Sequence, residues 1–220
     1  MTRIERRGVC LVLSGPSGAG KTAIGDALLA SEPALRRSVS VTTRQPRPGE
    51  IEGVHYHFRE RAEFDRLIDA GELLEWAQVF GRHSYGTPRQ PVVQALSAGT
   101  DVVFDIDWQG HHQLRQALPG DVVGVFVLPP ELAALEARLR QRSGDTQAEI
   151  ARRMGLARDE IRHWPDFDHV IVNDDLPAAV ASVRAVLHAA RVATGRQRGL
   201  RDFVSGLVPG AGGSRPQTAR

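Results

Sequence analysis

Apolar residues in this chain fall into short unbroken runs separated by polar stretches with helical spacing. The run VCLVL at 9–13 ends at Ser14 and Gly15. An apolar run of that length bounded by a turn signal predicts a strand buried on both faces. A helix is predicted over 21–29, a short strand over 38–41, a helix over 64–70 with Phe64, Leu67 and Ile68 on one face, and an extended segment over 73–79. A helix around 91–98 precedes VVF at 102–104, a buried strand ending in Asp105. A third central strand follows at 122–128, then a helix at 132–139, a polar break at 143–146 and a long charged helix from 147 to about 163. VIV at 170–172 predicts a fourth central strand, and 177–191 a final helix. Strands alternating with helices make an α/β architecture with a mainly parallel sheet. The stretch RQPRPGEIEG at 44–53, rich in Pro, Gly and charge, must be a loop. From about 195 periodicity is lost, and a disordered tail is expected over 195–220.

Composition narrows the function. The 220 residues suffice for one domain with a sizeable core, and 41% hydrophobic with 25% charged residues is ordinary for a globular protein. No apolar run approaches the roughly 18 residues of a membrane span. Basic residues precede the first apolar run, but that run has five residues and leads into a glycine-rich loop, so a secretory signal is rejected. The single cysteine, Cys10, excludes a disulfide within the chain and a cysteine-rich metal site. A cytoplasmic protein is expected. Of the 28 basic residues only one, Lys21, is lysine. Arginine is a planar fork and lysine a compact point charge, so a lone lysine among arginines marks a steric requirement.

Lys21 lies in Gly15-Pro16-Ser17-Gly18-Ala19-Gly20-Lys21-Thr22, which fits G-x-x-x-x-G-K-[ST] between a predicted strand and a predicted helix. The glycines let backbone N–H groups converge on phosphate oxygens, and the helix N-terminus adds positive potential. Lys21 is placed to reach the β- and γ-phosphates of ATP, and the Thr22 hydroxyl to ligate Mg²⁺. Asp105, at a strand end beside the loop, is the expected second support for the metal, directly or through water. A GTPase would need an N-K-x-D segment, which a chain with one lysine cannot supply; Asn173-Asp174-Asp175 comes nearest.

The loop also carries Arg44 and Arg47, three apart, with Tyr56 close behind. Two guanidinium forks and a phenol suit a dianionic phosphate monoester, although the same residues could form a solvated basic loop. At this point the sequence resembles the guanylate kinase family, in its bacterial form. The matching segments are SGPSGAGKT at 14–22, SVSVTTRQPRPGE at 38–50, GVHYHF at 53–58, LLEWAQVFG at 73–81, SYGT at 84–87, FDIDWQG at 104–110 and VIVNDDL at 170–176. They run in order over about residues 8–192.

The resemblance implies a P-loop nucleoside-monophosphate kinase fold over 1–194, with a GMP-binding region at about 38–100 and a lid at about 140–160. By it, Arg44, Arg47, Tyr56 and Tyr85 would hold the GMP phosphate. Ser40 and Thr87 would donate to guanine O6, while Glu75 and Asp107 would accept from N1–H and the 2-amino group. Glu75 lies in the otherwise apolar run LLEW, where a charge needs a reason. Adenine lacks those donors, and hydrogen-bonding sites reject such analogues by roughly 10⁴ or more. Arg142 and Arg153 match lid arginines that would act with Lys21 as the catalytic cations; the simpler reading is a charged helix face, with Glu149 and Arg153 spaced i,i+4. Asn173 would join the ATP site. The implied partners are ATP, GMP and Mg²⁺, with no nucleic acid, membrane or obligatory protein partner. The segment GRHSYGT after Phe80 is one residue longer than the family spacing, which bears on the placement of Tyr85 and Thr87. A kinase for another phosphorylated small molecule and an inactive binding module of the same fold are the alternatives.

Overall fold

The computed structural model describes residues 4–79, 83–141 and 146–208. In chain order the elements are β1 (Glu5–Arg6), β2 (Cys10–Ser14), α1 (Lys21–Ser31), β3 (Leu35–Arg37), β4 (Ser40–Thr42), β5 (Tyr56–Phe58), α2 (Arg61–Asp69), β6 (Leu73–Val79), β7 (His83–Pro88) and α3 (Arg89–Ser97). They continue with β8 (Asp101–Asp105), α4 (Trp108–Ala117), β9 (Val122–Leu128), α5 (Leu132–Gln141), α6 (Gln147–Ile161), β10 (His169–Val172), α7 (Leu176–Val192), β11 (Gln197–Arg198) and α8 (Leu200–Leu207).

Five strands form a parallel sheet in the order β10-β9-β2-β8-β3. β2 lies at its centre, and the alternation of its side chains splits the core. Leu11 and Leu13 pack with Ile24, Leu28, Val183 and Leu187 on one face, while Cys10 and Val12 pack with Leu96, Phe104, Leu114 and Phe126 on the other. A strand covered on both faces needs no polar alternation, which is why its sequence reads as continuous apolar residues. A second sheet, β5-β4-β7-β6, occupies 40–88 and packs on α2 through Val41, Phe64 and Leu73.

Several features differ from the expectations, among them β3 and β7, strands that are not predicted. α4 is a full helix where none is predicted: its sequence WQGHHQLRQA buries only Gly110, His111 and Leu114, too few for a legible stripe. β10 is an edge strand rather than a central one, with Val170 and Val172 40% and 50% exposed. A further correction concerns the tail, in which residues 197–207 form a strand and a helix rather than a disordered segment. β11 pairs antiparallel with β1, Arg196 is buried and donates to the Gly8 and Gly120 carbonyls at 2.9 and 2.8 Å, and α8 follows. Arginines that look like solvated charge instead cap core carbonyls, a use that composition does not reveal.

Candidate active site

The loop between β2 and α1 is shaped by backbone conformations that side chains resist. Gly15 has φ 131, and a Cβ there would lie 2.2 Å from the Val127 carbonyl oxygen. Gly20, the residue before α1, has φ 101, and its Cβ would lie 2.1 Å from Asn173 Nδ2. Only glycine fits at either place. The Lys21 ammonium folds back over the loop, donating to the carbonyls of Gly15 at 2.6 Å and Pro16 at 3.3 Å, and stands 4.0 Å from Asp105 Oδ1. The Thr22 hydroxyl donates to Asp105 Oδ2 at 3.0 Å. A hydroxyl and a carboxylate at that separation offer hard oxygen donors of the kind Mg²⁺ takes beside its waters, so the pair fits the metal.

Asn173 approaches from beneath. It is 4% exposed, and its Nδ2 donates to the Ala19 carbonyl at 2.8 Å, so it shapes the loop from behind. Arg138 of α5 adds a brace that sequence reasoning missed, donating to the Asn173 carbonyl at 3.0 Å and reaching those of Gly18 and Ala19 at 3.5 Å. One arginine in a helix rich in charge leaves no sequence signal for that role.

Across the cleft stands the second sheet. The Arg44 guanidinium is held by Glu50 at 2.8 and 3.0 Å and lies 5.4 Å from the centre of the Tyr56 ring. The hydrogen bonds to Glu50 raise the Arg44 pKa above the ordinary guanidinium value, burial opposes the shift, and the Tyr85 oxygen beside the guanidinium adds to it. Tyr56 and Tyr85 meet edge to face at 5.9 Å. The structure therefore gathers Arg44, Tyr56 and Tyr85. Arg47 is exposed on the same loop, where its backbone N–H donates to Glu50 at 2.8 Å.

Glu75 is 5% exposed, and Thr87, fully buried on the neighbouring strand, donates its hydroxyl to Glu75 Oε1 at 2.6 Å. Burial pushes the Glu75 carboxyl up to about 7; the Thr87 bond opposes the shift and the Asp107 charge adds to it. Asp107 caps α4, its Oδ1 accepting from Gly110 N–H at 2.8 Å. Ser40 lies half-buried on β4, lining a small hollow with Thr22, Tyr56 and Asp105.

Three hollows meet here. One of about 690 Å³ is lined by Ser17, Trp76, Asp107, Arg153 and Glu160. A second of about 350 Å³ lies over the loop and shares Ser17, Asp107 and Glu160 with the first. The third, of about 250 Å³, shares Thr22 and Asp105 with the second. A larger hollow of about 840 Å³, between α2, α3 and the far face of the second sheet, is lined by none of the predicted residues. Arg153 is half-buried on α6 facing the cleft, whereas Arg142 lies outside the described residues, as do residues 80–82 of the GRHSYGT segment. Glu149, spaced i,i+4 from Arg153, completes a capping box with Thr146. Glu160, absent from the sequence reading, faces the hollows of about 690 and 350 Å³, and burial raises its pKa against the pull of Lys21.

A glycine-lined anion nest on a parallel sheet, opposed by a small sheet with an arginine–tyrosine clamp, defines a P-loop kinase of the nucleoside-monophosphate type. The particular group follows from comparison with known proteins: the guanylate kinase profile matches residues 7–190, and the chain belongs to that family. It is 66% identical to the guanylate kinase of Gluconobacter oxydans, over 93% of this chain and 98% of that protein. The guanylate kinase of Granulibacter bethesdensis is 62% identical over 92% and 94%. Among solved structures, the guanylate kinase of Anaplasma phagocytophilum superposes with a TM-score of 0.76 at 36% identity, covering 92% of this chain and 96% of that one.

Proposed function

We propose that this chain transfers the γ-phosphoryl group of ATP to GMP, giving ADP and GDP in purine nucleotide metabolism. The observation that carries the reading is the buried Glu75 carboxylate with the Asp107 charge acting on it, Asp107 itself lining the hollow over Lys21 and the one beside it. Two acceptors at that position suit the donor edge of guanine and leave adenine unmatched.

In this mechanism the backbone of residues 15–20 binds the ATP phosphates, and Lys21 leaves its carbonyl partners for the β- and γ-oxygens. Asn173 and Arg138 keep the loop in shape. Thr22 and Asp105 are the residues that would hold Mg²⁺, which neutralises phosphate charge when bound. Arg44, Arg47, Tyr56 and Tyr85 orient the GMP phosphate, whose attacking oxygen is already anionic at neutral pH and needs no strong base. For Thr87 to donate to guanine O6 its hydroxyl must turn from Glu75, which then accepts from the base with Asp107, while Ser40 supplies a further donor. Arg142 and Arg153, on the lid, supply positive charge to the transferring group, and alignment with charge neutralisation does the rest. A lid closed over both nucleotides excludes water and limits ATP hydrolysis. Among the described residues no helix is long and apolar enough to cross a membrane, and we take the cytoplasm as the setting.

A coupled ADP-release assay with GMP, AMP, CMP and UMP tests the proposal. Fast release with GMP alone is expected. Release with GMP no faster than with buffer overturns it.

A further inference from the structure

β6 is the outer strand of its sheet: β7 covers one edge and no described strand covers the other. A strand residue points its N–H and C=O to the same side, and neighbours alternate. Trp76 points both to the uncovered side. There Gln113 of α4 meets them with a single carboxamide, Oε1 accepting from Trp76 N–H at 3.0 Å and Nε2 donating to Trp76 C=O at 3.0 Å. One side chain thus imitates a residue of a fifth strand. Gln113 is half-buried and the pair stands near solvent, so water could satisfy the same groups. What water cannot do is fix the distance between strand and helix.

That distance matters because of what flanks the latch. Positions 107, 110 and 113 recur at three-residue spacing and lie along one side of α4 and its cap. Asp107 caps the helix through Gly110 N–H. A Cβ at Gly110 would lie 3.1 Å from Glu75 Oε2, so the bare glycine is where the Glu75 carboxylate passes the helix. Gln113 then grips the residue after Glu75. α4 itself is anchored by Leu114, fully buried in the core against Val12 and Phe104.

We propose that Gln113 is a positioning residue for acceptor selectivity. Through the Trp76 backbone it sets the separation of Glu75 from Asp107, and so the discrimination between a purine with a donor edge and one without. This rests on the reading of Glu75 and Asp107 as guanine acceptors, and the two ideas fail separately.

Gln113→Met keeps length and volume while removing both bonds, and steady-state kinetics with GMP and AMP are the readout. The expected result is a rise of about tenfold in KM for GMP and a similar fall in the GMP-over-AMP ratio of kcat/KM, because β7 still holds the other edge and the misplacement is partial. KM for ATP and Tm should not move. Gln113→Glu, which keeps an acceptor for Trp76 N–H but sets a carboxylate against its carbonyl, should shift the same two quantities in the same direction. In a Glu75→Gln background, Gln113→Met should add little, since both act through one contact. Unchanged GMP kinetics in both Gln113 variants, with Glu75→Gln impaired, overturns the proposal alone. A lowered Tm with KM raised equally for ATP and GMP reduces Gln113 to a structural role and also overturns it. Glu75→Gln without effect on GMP removes the reading beneath it.

Discussion

On the proposed function, the two sides of the cleft would recognise phosphate and base by different means. The donor side is a backbone device: eight consecutive residues, with glycines at positive φ pressed against β9 and Asn173, present N–H groups around one ammonium. The acceptor side is a side-chain device, assembled from β4, the loop at 44–50, β5, β6, β7 and the cap of α4. A backbone nest accepts any suitably sized phosphate, whereas buried side chains reject whatever leaves them unpaired. Catalytic power is therefore expected to concentrate on the first side and selectivity on the second.

Lys21→Ala is the sharpest test of that division. Removing the only ammonium over the nest should lower kcat by about 10³-fold or more, while GMP affinity measured by titration calorimetry stays within about twofold. A loss of GMP binding as large as the loss of kcat would erase the distinction between the sides. Glu75→Gln is the mirror experiment. It should lower kcat/KM for GMP by about 10²-fold, leave KM for ATP in place and bring AMP closer to GMP as a substrate. An unaltered nucleotide preference would show that the base is read elsewhere.

The same contrast explains what the sequence disclosed. The P-loop is contiguous, and its Gly-x-x-x-x-Gly-Lys-Thr spacing states its geometry outright, so its location between a strand and a helix was legible. The central strands were legible because burial on both faces leaves unbroken apolar runs such as 9–13 and 122–128. Glu75 was visible as a charge inside an apolar run, and the structure does bury it. Arg138, Glu160 and Gln113 were not visible, because each works by pointing across the fold from a helix whose own sequence is merely polar. Edge position escaped too: VIV at 170–172 reads like a central strand, and only the packing of β10 against β9 alone makes it an edge. The order in the tail depended on Arg196 meeting two carbonyls far away in sequence.

Arg138→Met asks how much of the donor side depends on a brace beneath it. With the Asn173 carbonyl losing its Arg138 donor while Asn173 Nδ2 still holds Ala19, KM for ATP should rise by about three- to tenfold with KM for GMP unchanged, since a lost hydrogen bond costs about 0.5–1.5 kcal/mol net. Equal effects on the two nucleotides would mean that α5 moves the whole cleft rather than the loop.

The finest discrimination comes from protons. Burial raises the Glu75 carboxyl from 4.5 to about 7, so the folded protein holds that proton more tightly than the unfolded chain does. A raised pKa of this kind stabilises the fold below the unfolded value, and the advantage is lost as pH climbs from about 4.5 through 7. Relative to the parent, Glu75→Gln should therefore gain stability over that interval, by at most on the order of 3 kcal/mol, and Tm curves against pH should diverge upward and then run parallel. Guanine donors favour the ionised carboxylate, so saturating GMP should flatten the parent curve, and as pH falls below about 7 KM for GMP should rise more steeply in the parent than in the variant, where only the GMP phosphate titrates. No corresponding pH dependence is expected in KM for ATP, because Glu75 stands on the acceptor side. Parallel Tm curves throughout, with and without GMP, would mean that the Glu75 carboxyl titrates as it does in the unfolded chain, and the acceptor side would lose the feature that most separates it from the nest.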